Sequence, residues 1–439
     1  MRTITEAGLE IVRLIADTFR LWWRKLLPLT TWYLAGYAAL SLATQGAIWL
    51  GVHQHRNLAI ALFSAGVLVQ IAALVAMIRT CANALFRWRE AAAGPDQTTD
   101  PTQRKLMELL SVTMLPLVLV WSAWGILDEK LARFAAAYLV ETAGSARSSF
   151  IFNEADWRFY LPALIGLLLL RRVLETDDDR WPNNPTQFGQ IWAEAFFALL
   201  LVIVTPQLFD RFMNWLDRRE IWYLAGEQWR QVREWFAGIS IPIPDGIEWL
   251  WELIRETLWP LFYDGVAQPM TWLAVTTVVF GHRALSASNI VQGTRFESRI
   301  AGRSGTAPSG RVASLTSRAP ELVFGGLKEK FIPTLNAFRL VIRVGPVFLG
   351  VVCLVYSFQL LAEDWSWHAL VRLIGDHGSS WNVMNNQLTG LAVAVVFEPL
   401  RVALLAAAFD QCVSVAVEQR QEAAAAQAEE PAPPAPVTA

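Results

Sequence analysis

Residues 58–78 read LAIALFSAGVLVQIAALVAMI, an apolar run that contains no charged side chain. An α-helix needs about 20 such residues to cross the hydrocarbon core of a bilayer. A run of this length and purity is also longer than most helices that are buried in soluble domains. The stretch therefore predicts a transmembrane helix, and the rest of the chain can be tested against that prediction.

The composition of the whole chain agrees with a membrane protein. Of its 439 residues, 54% are hydrophobic and only 17% are charged, whereas soluble proteins carry about 25% charged residues. The 21 tryptophans are of a type enriched at membrane interfaces. The net charge of −2 does not favour nucleic acid as a partner. We expect an all-α, polytopic helical membrane protein whose main partner is the lipid bilayer.

Seven other stretches are apolar enough to span, which brings the expected number of transmembrane helices to about eight. They are residues 26–52, 109–127, 159–170, 191–209, 259–281, 344–361 and 388–408. The stretch 159–170 is short, and it spans only if the Trp and Arg side chains at its ends reach the interface. An even number of spans places both termini on the same side.

The distribution of Lys and Arg predicts the orientation. With the N-terminus inside, the cytoplasmic segments hold 24 of these residues and the outer segments 12, in agreement with the positive-inside rule. Both termini are therefore predicted to be cytoplasmic. The Ala-, Arg- and Trp-rich composition is typical of a bacterial protein, and we expect the plasma membrane as its location.

The predicted organisation alternates spans with segments of distinct character. In chain order, 1–25 is a cytoplasmic amphipathic helix, 26–127 carry transmembrane helices 1–3, 128–158 is an outer segment, 159–209 carry helices 4 and 5, 210–258 form Trp-rich outer amphipathic helices, 259–281 are helix 6, 282–343 are a basic and largely disordered cytoplasmic loop, 344–412 carry helices 7 and 8 with an outer loop at 362–387, and 413–439 are a disordered cytoplasmic tail.

Two amphipathic segments are candidates for contacts outside the chain. Trp215, Trp222 and Trp229 recur every seven residues, which places them on one face of a helix. This helix lies either in the outer interface or on the ends of the bundle, and it is where other membrane or envelope proteins could bind. The basic cytoplasmic segments, including the N-terminal helix, are expected to attract anionic lipid headgroups.

Ionisable residues within spans are costly, so they are candidates for function. Glu398 and Arg401 stand three residues apart on one face of the last span, with Pro399 between them. They either pair to hold the helix to a neighbour or line a polar pathway. Glu194 lies near the inner end of the fifth span, and Asp264 near the outer end of the sixth. No catalytic residue is predicted.

Four histidines fall on the predicted outer side: His53, His55, His368 and His377. They are weak candidates for a metal site, and solvated side chains are the simpler interpretation. The three cysteines are too scattered for a disulfide framework or a structural zinc site. We therefore expect neither a metal nor another cofactor.

Three classes of function remain. The sequence has no P-loop, His-Glu-x-x-His motif or nucleophile elbow, which favours a non-catalytic accessory or scaffold subunit of an envelope-associated complex. The alternative is a transporter or channel with a polar site around Glu398 and Arg401. It draws support from the prolines in the spans and from a short similarity between residues 19–24 and 338–343. A lipid-modifying intramembrane enzyme is the lesser alternative.

Overall fold

The computed structural model describes residues 4–85 except 54, residues 106–142, 249–281, 345–375 and 379–429, and short stretches between 166 and 231. These residues are almost entirely helical, and the described part of the chain contains no strand. The helices are α1 (Ile4–Val52), α2 (Arg56–Ala82), α3 (Leu106–Ala123), α4 (Ile126–Thr142), α5 (Trp259–Phe262), α6 (Gln268–Gly281), α7 (Pro346–Ile374) and α8 (Ser379–Glu429).

Four helical segments are long and apolar enough to cross a membrane. They are Gly8–Val52, Asn57–Ala82, Pro346–Ile374 and Asn386–Ser414. Their positions agree with the predicted spans 26–52, 58–78, 344–361 and 388–408. The predicted span 159–170 lies almost wholly outside the described residues, as do the loop 282–343 and most of the outer segment 210–248, and only scattered residues of the predicted span 191–209 are described.

The predicted N-terminal helix and first span form one uninterrupted helix. At 49 residues, α1 is about 73 Å long, more than twice the roughly 30 Å of a hydrocarbon core. Leu14, Thr18 and Leu21 are buried at the three- and four-residue spacing of one helix face. The apolar stripe that includes Leu9 and Trp23 is exposed, so the described part of the chain does not cover it.

Helices α1 and α2 approach closely through glycines. A Cβ atom added to Gly66 would lie 2.5 Å from the Cβ of Ala43, and one added to Gly36 would lie 2.7 Å from the Cβ of Ala73. Only a residue without a side chain allows the two backbones to come this near. Small residues serve the same purpose between transmembrane helices in general.

A tight turn separates α3 from α4 where the sequence predicted that the third span continues to residue 127. Gly125 adopts a φ of +68°, which a residue with a Cβ rarely adopts. Helix α4 was not predicted. Its buried Leu127, Phe134 and Tyr138 have helical spacing, and the Phe134 ring stacks on that of Phe63 at 4.7 Å.

Two prolines widen the helical run between residues 253 and 281. The π-helical turns Leu253–Leu258 and Tyr263–Ala267 end two residues before Pro260 and Pro269 respectively. A proline ring collides with the carbonyl four residues earlier, and a π-turn relieves that collision by lengthening the local hydrogen-bonded ring. The run therefore stays helical through Pro269.

The hairpin of α7 and α8 differs from the predicted outer loop at 362–387. Helix α7 continues to Ile374, and α8 starts at Ser379, so most of that segment is helical. Gly375 ends α7 with a φ of +88°. Residues 413–429 also continue α8 rather than forming a disordered tail, because Ala, Gln and Glu are strong helix formers.

The described helices belong to two compact units, and each has its own core. The first comprises residues 1–34, 74–109 and 270–439, and the second comprises 35–73 and 110–269. In the first unit, the buried runs 272–280 of α6 and 402–409 of α8 meet through the rings of Phe280 and Phe409, whose centroids are 5.0 Å apart. In the second, the close α1–α2 contact and the Phe63–Phe134 stack form the core.

Alanine substitution of two glycines should separate close packing from helix propensity. We expect Gly66→Ala to lower the free energy of unfolding by about 1–3 kcal/mol, because the new methyl group overpacks the α1–α2 contact. Gly350→Ala is the matched control, since nothing lies within 4 Å of a Cβ at that position; it should be neutral or gain up to about 1 kcal/mol. SDS titration of the protein in mixed micelles measures both. Equal effects would show that the backbones do not touch at Gly66.

Candidate functional site

The candidate site lies between α7 and α8, within the first compact unit. Helix α7 begins at Pro346, whose fixed φ and missing N–H suit the first turn of a helix. It presents Tyr356, Gln359 and Glu363 at intervals of three and four residues, so the three side chains share one face. This polar face contacts α8 near Pro399.

Arg401 holds a carboxylate on each helix. Its Nη1 donates to Oε1 of Glu398 at 2.9 Å, and its Nη2 donates to Oε2 of Glu363. The side chains are only 17%, 29% and 25% exposed for Arg401, Glu398 and Glu363 respectively. We call Arg401, Glu398 and Glu363 the charged triad.

A further hydrogen bond joins the same two helices. The Gln359 side-chain amide donates to the main-chain carbonyl of Phe397 at 3.0 Å. This carbonyl belongs to the turn that carries Glu398 and Pro399. The triad and this bond together connect α7 to α8 over two successive turns, which fixes the register of the hairpin.

Two buried donors near the triad have no hydrogen-bond acceptor among the described residues. The Tyr356 hydroxyl is one of them, on a residue that is 1% exposed. It is close enough to the three charges of the triad to interact electrostatically with each of them. The Nε of Arg401 is the other. Buried donors are normally hydrogen-bonded to protein or to ordered water. These two donors can therefore bind a further acceptor.

Sequence reasoning found two members of this site and missed the others. Glu398 and Arg401 do pair with each other, as their spacing predicted. Glu363 was assigned to an outer loop because the apolar run of the seventh span ends near residue 361. The three- and four-residue spacing of Tyr356, Gln359 and Glu363 was the available signal that α7 continues and carries a polar face.

The other predicted polar candidates are Asp264 and Glu194. Asp264 lies in a π-turn and is exposed. Its neighbour Tyr263 donates to the main-chain carbonyl of Ala123 and packs against the Trp124 ring, so this turn contacts the end of α3. Glu194 lies outside the described residues.

The candidate metal-ligating histidines make local contacts. His53 stacks on Trp49, with 4.3 Å between the ring centroids, and its Nδ1 lies 2.8 Å from the carbonyl of Trp49. The Nδ1 of His368 is 2.8 Å from the carbonyl of Asp364, one turn earlier. His377 lies outside the described residues, and the described part of the chain contains no group of three or more His, Cys, Asp or Glu side chains placed to hold a metal.

A second polar feature, within the same compact unit, is a pocket of about 440 Å³. Asp17, Arg20 and Arg24 of α1 face Asp410 of α8 across it. The Gln411 amide donates to Oδ2 of Asp17 at 3.0 Å and so ties α1 to α8 beside the pocket. The basic residues of this pocket belong to the predicted N-terminal helix, whereas the part played by Asp17 and Asp410 was not predicted.

Comparison with known protein families, with curated proteins and with solved structures finds no match to this chain. The function is therefore inferred from the candidate site and from the exposed surfaces.

Loss of the central cation should destabilise the hairpin. We expect Arg401→Leu to lower the free energy of unfolding by about 3 kcal/mol, because the partly buried carboxyl groups of Glu363 and Glu398 lose their cationic partner and become costly to ionise. Arg133→Leu breaks an exposed pair with Glu129 and should cost well under 1 kcal/mol. The loss at position 401 should shrink at acidic pH, where the carboxyls become neutral. SDS-titration unfolding at two pH values measures this, and a pH-independent loss would contradict the electrostatic origin.

Proposed function

We propose that this protein is a non-catalytic, multi-pass plasma-membrane protein that acts as an accessory or scaffold subunit of an envelope-associated complex. In this proposal it has about eight spans, both termini are cytoplasmic, and the Trp-rich segment between the fifth and sixth spans faces outward. The observation that carries the proposal is the uncovered helical segment at residues 249–262, which we call the outer helix.

The outer helix has a large apolar surface that the described residues leave open. Trp249 and Trp251 are each 63% exposed, and the helical turns from Leu253 to Ala267 bury none of their residues. The run is continuously buried only from residue 272 onwards. Contiguous apolar surface of this kind marks contact with a membrane or with another protein.

The distribution of charge along the outer helix favours a protein partner at the membrane surface. Leu250 and Ile254 are four residues apart and share one face, while Glu252 and Glu256 share another. Basic residues are typical of helices that bind anionic lipid by themselves, and this segment has two acids against the single Arg255. An aromatic and apolar face beside a charged one resembles the composition of protein interfaces.

The charged triad is compatible with a scaffold role, because Arg401 uses both of its Nη groups to join α7 to α8. Such a clamp keeps a hairpin rigid, and a rigid hairpin is a suitable support for partner subunits. No catalytic step is needed to explain these charges.

A transporter or channel is the second candidate, and one observation favours it. The triad sets two carboxylates against one guanidinium, beside the unpaired hydroxyl of the buried Tyr356. Net charge within a span is costly and commonly marks the path of an ion or substrate. The position of Arg401 near the middle of the candidate span Asn386–Ser414 agrees with this role.

Lipid headgroups are the proposed partners of the basic cytoplasmic segments. Arg20 and Arg24 line the 440 Å³ pocket, and the exposed Phe19 and Trp23 lie on the same part of α1. Arginine beside aromatic side chains suits the level of lipid phosphates. This association holds for either candidate function.

Gentle purification from native membranes tests the scaffold proposal. We expect the wild-type protein to co-purify with one or more defined subunits at a fixed molar ratio, measured by quantitative mass spectrometry of the size-exclusion peak. The double variant Leu250→Ser/Ile254→Ser should lose these subunits, because it removes the apolar face of the outer helix.

Leu373→Ser is the control for that experiment, since Leu373 is also exposed but lies on α7. It should retain the same subunits at the same ratio. A wild-type protein that purifies as a solitary monomer, or a double variant that keeps every subunit, would contradict the scaffold proposal.

A further inference from the structure

The charge of the triad does not balance. Arg401 contributes one positive charge, whereas Glu363 and Glu398 contribute two negative charges if both are ionised, and all three side chains are mostly shielded from solvent. Tyr356 and Gln359, which face them from α7, are neutral. An uncompensated charge in a low-dielectric environment is strongly disfavoured. Protonation of one carboxyl group would remove this excess negative charge.

We propose that the charged triad is a proton-binding site: its two carboxyl groups share one exchangeable proton, and Arg401 balances the remaining carboxylate. The step is a proton transfer alone, in which an O–H bond forms on one carboxylate while one breaks in hydronium. The inference rests on the second candidate function, a transporter or channel with a polar site within its spans. It names the proton as the ligand of that site.

Geometry favours a proton over a metal cation. The guanidinium of Arg401 occupies one oxygen of each carboxylate and repels a second cation. A sodium or calcium ion needs several oxygen ligands at once, and the described part of the chain gathers no cluster of three acidic, His or Cys side chains. A proton needs one oxygen, and each carboxylate retains one.

The unpaired donors could hold a water molecule beside the carboxyl groups. The hydroxyl of Tyr356 and the Nε of Arg401 are buried without an acceptor among the described residues. A water molecule that accepts from either donor could in turn donate to the free oxygen of Glu363 or Glu398, since ordered waters bridge buried polar groups in this way.

Infrared spectroscopy of the protein in lipid nanodiscs tests the proton directly, because protonated and ionised carboxyl groups absorb at different frequencies. At neutral pH we expect the wild type to show a carboxylic-acid C=O band that shifts in D₂O. Glu363→Gln and Glu398→Gln should each abolish this band, since either leaves a single carboxylate to balance Arg401. Arg401→Gln should about double it, because both acids are then protonated.

Glu129→Gln is the matched control, because Glu129 forms an exposed helical pair with Arg133; it should leave the band unchanged. Size-exclusion profiles and circular dichroism establish that each variant is folded. The expected loss of the band is measured on the two Glu variants, and the expected gain is measured separately on Arg401→Gln. Absence of the band in the wild type would overturn the proposal. A band that appears only in sodium-free buffer would also overturn it and assign a cation site.

This experiment is independent of transport itself. A band with the expected variant pattern, combined with no proton flux in proteoliposomes, would exclude proton conduction by the protein alone while leaving the proton site intact.

Discussion

Arg401 imposes the strongest electrostatic constraint on the hairpin of α7 and α8. A guanidinium does not lose its proton in a protein, so in a largely apolar helix it must be balanced by nearby acceptors. Glu398 supplies one from the same helix, and Glu363 supplies the other from α7. Only one register of the two helices brings Glu363 within reach, and the bond from Gln359 to the Phe397 carbonyl requires the same register.

Features that depend on composition and on short spacings between residues could be predicted from the sequence. The apolar runs predicted the four helices that can span a membrane, and the three-residue spacing predicted the pairing of Glu398 with Arg401. Glu363 was missed because hydropathy alone placed the end of the seventh span before it. Its contact with Arg401 joins residues far apart in sequence, and such a contact depends on the packing of two helices.

Prolines and glycines explain several other differences between expectation and structure. A π-turn before Pro269 absorbs the collision of the proline ring with the preceding turn and keeps the run helical. Gly125 ends α3 earlier than the apolar pattern does, and Gly36 and Gly66 allow a backbone contact that no hydropathy pattern reveals. In each case the conformation of the local backbone, rather than the polarity of the sequence, determines where a helix ends or how closely two helices pack.

A double-mutant cycle between Arg401 and Glu363 is the most direct measurement of whether these residues hold α7 to α8. The free energies of unfolding of the wild type, Arg401→Leu, Glu363→Leu and the double variant give the coupling energy, free of each residue's separate effects. We expect a favourable coupling of about 1–3 kcal/mol, the upper part of the range for residues in direct contact. A coupling within about 0.3 kcal/mol of zero would mean that the two side chains do not interact and that another contact sets the register of the hairpin.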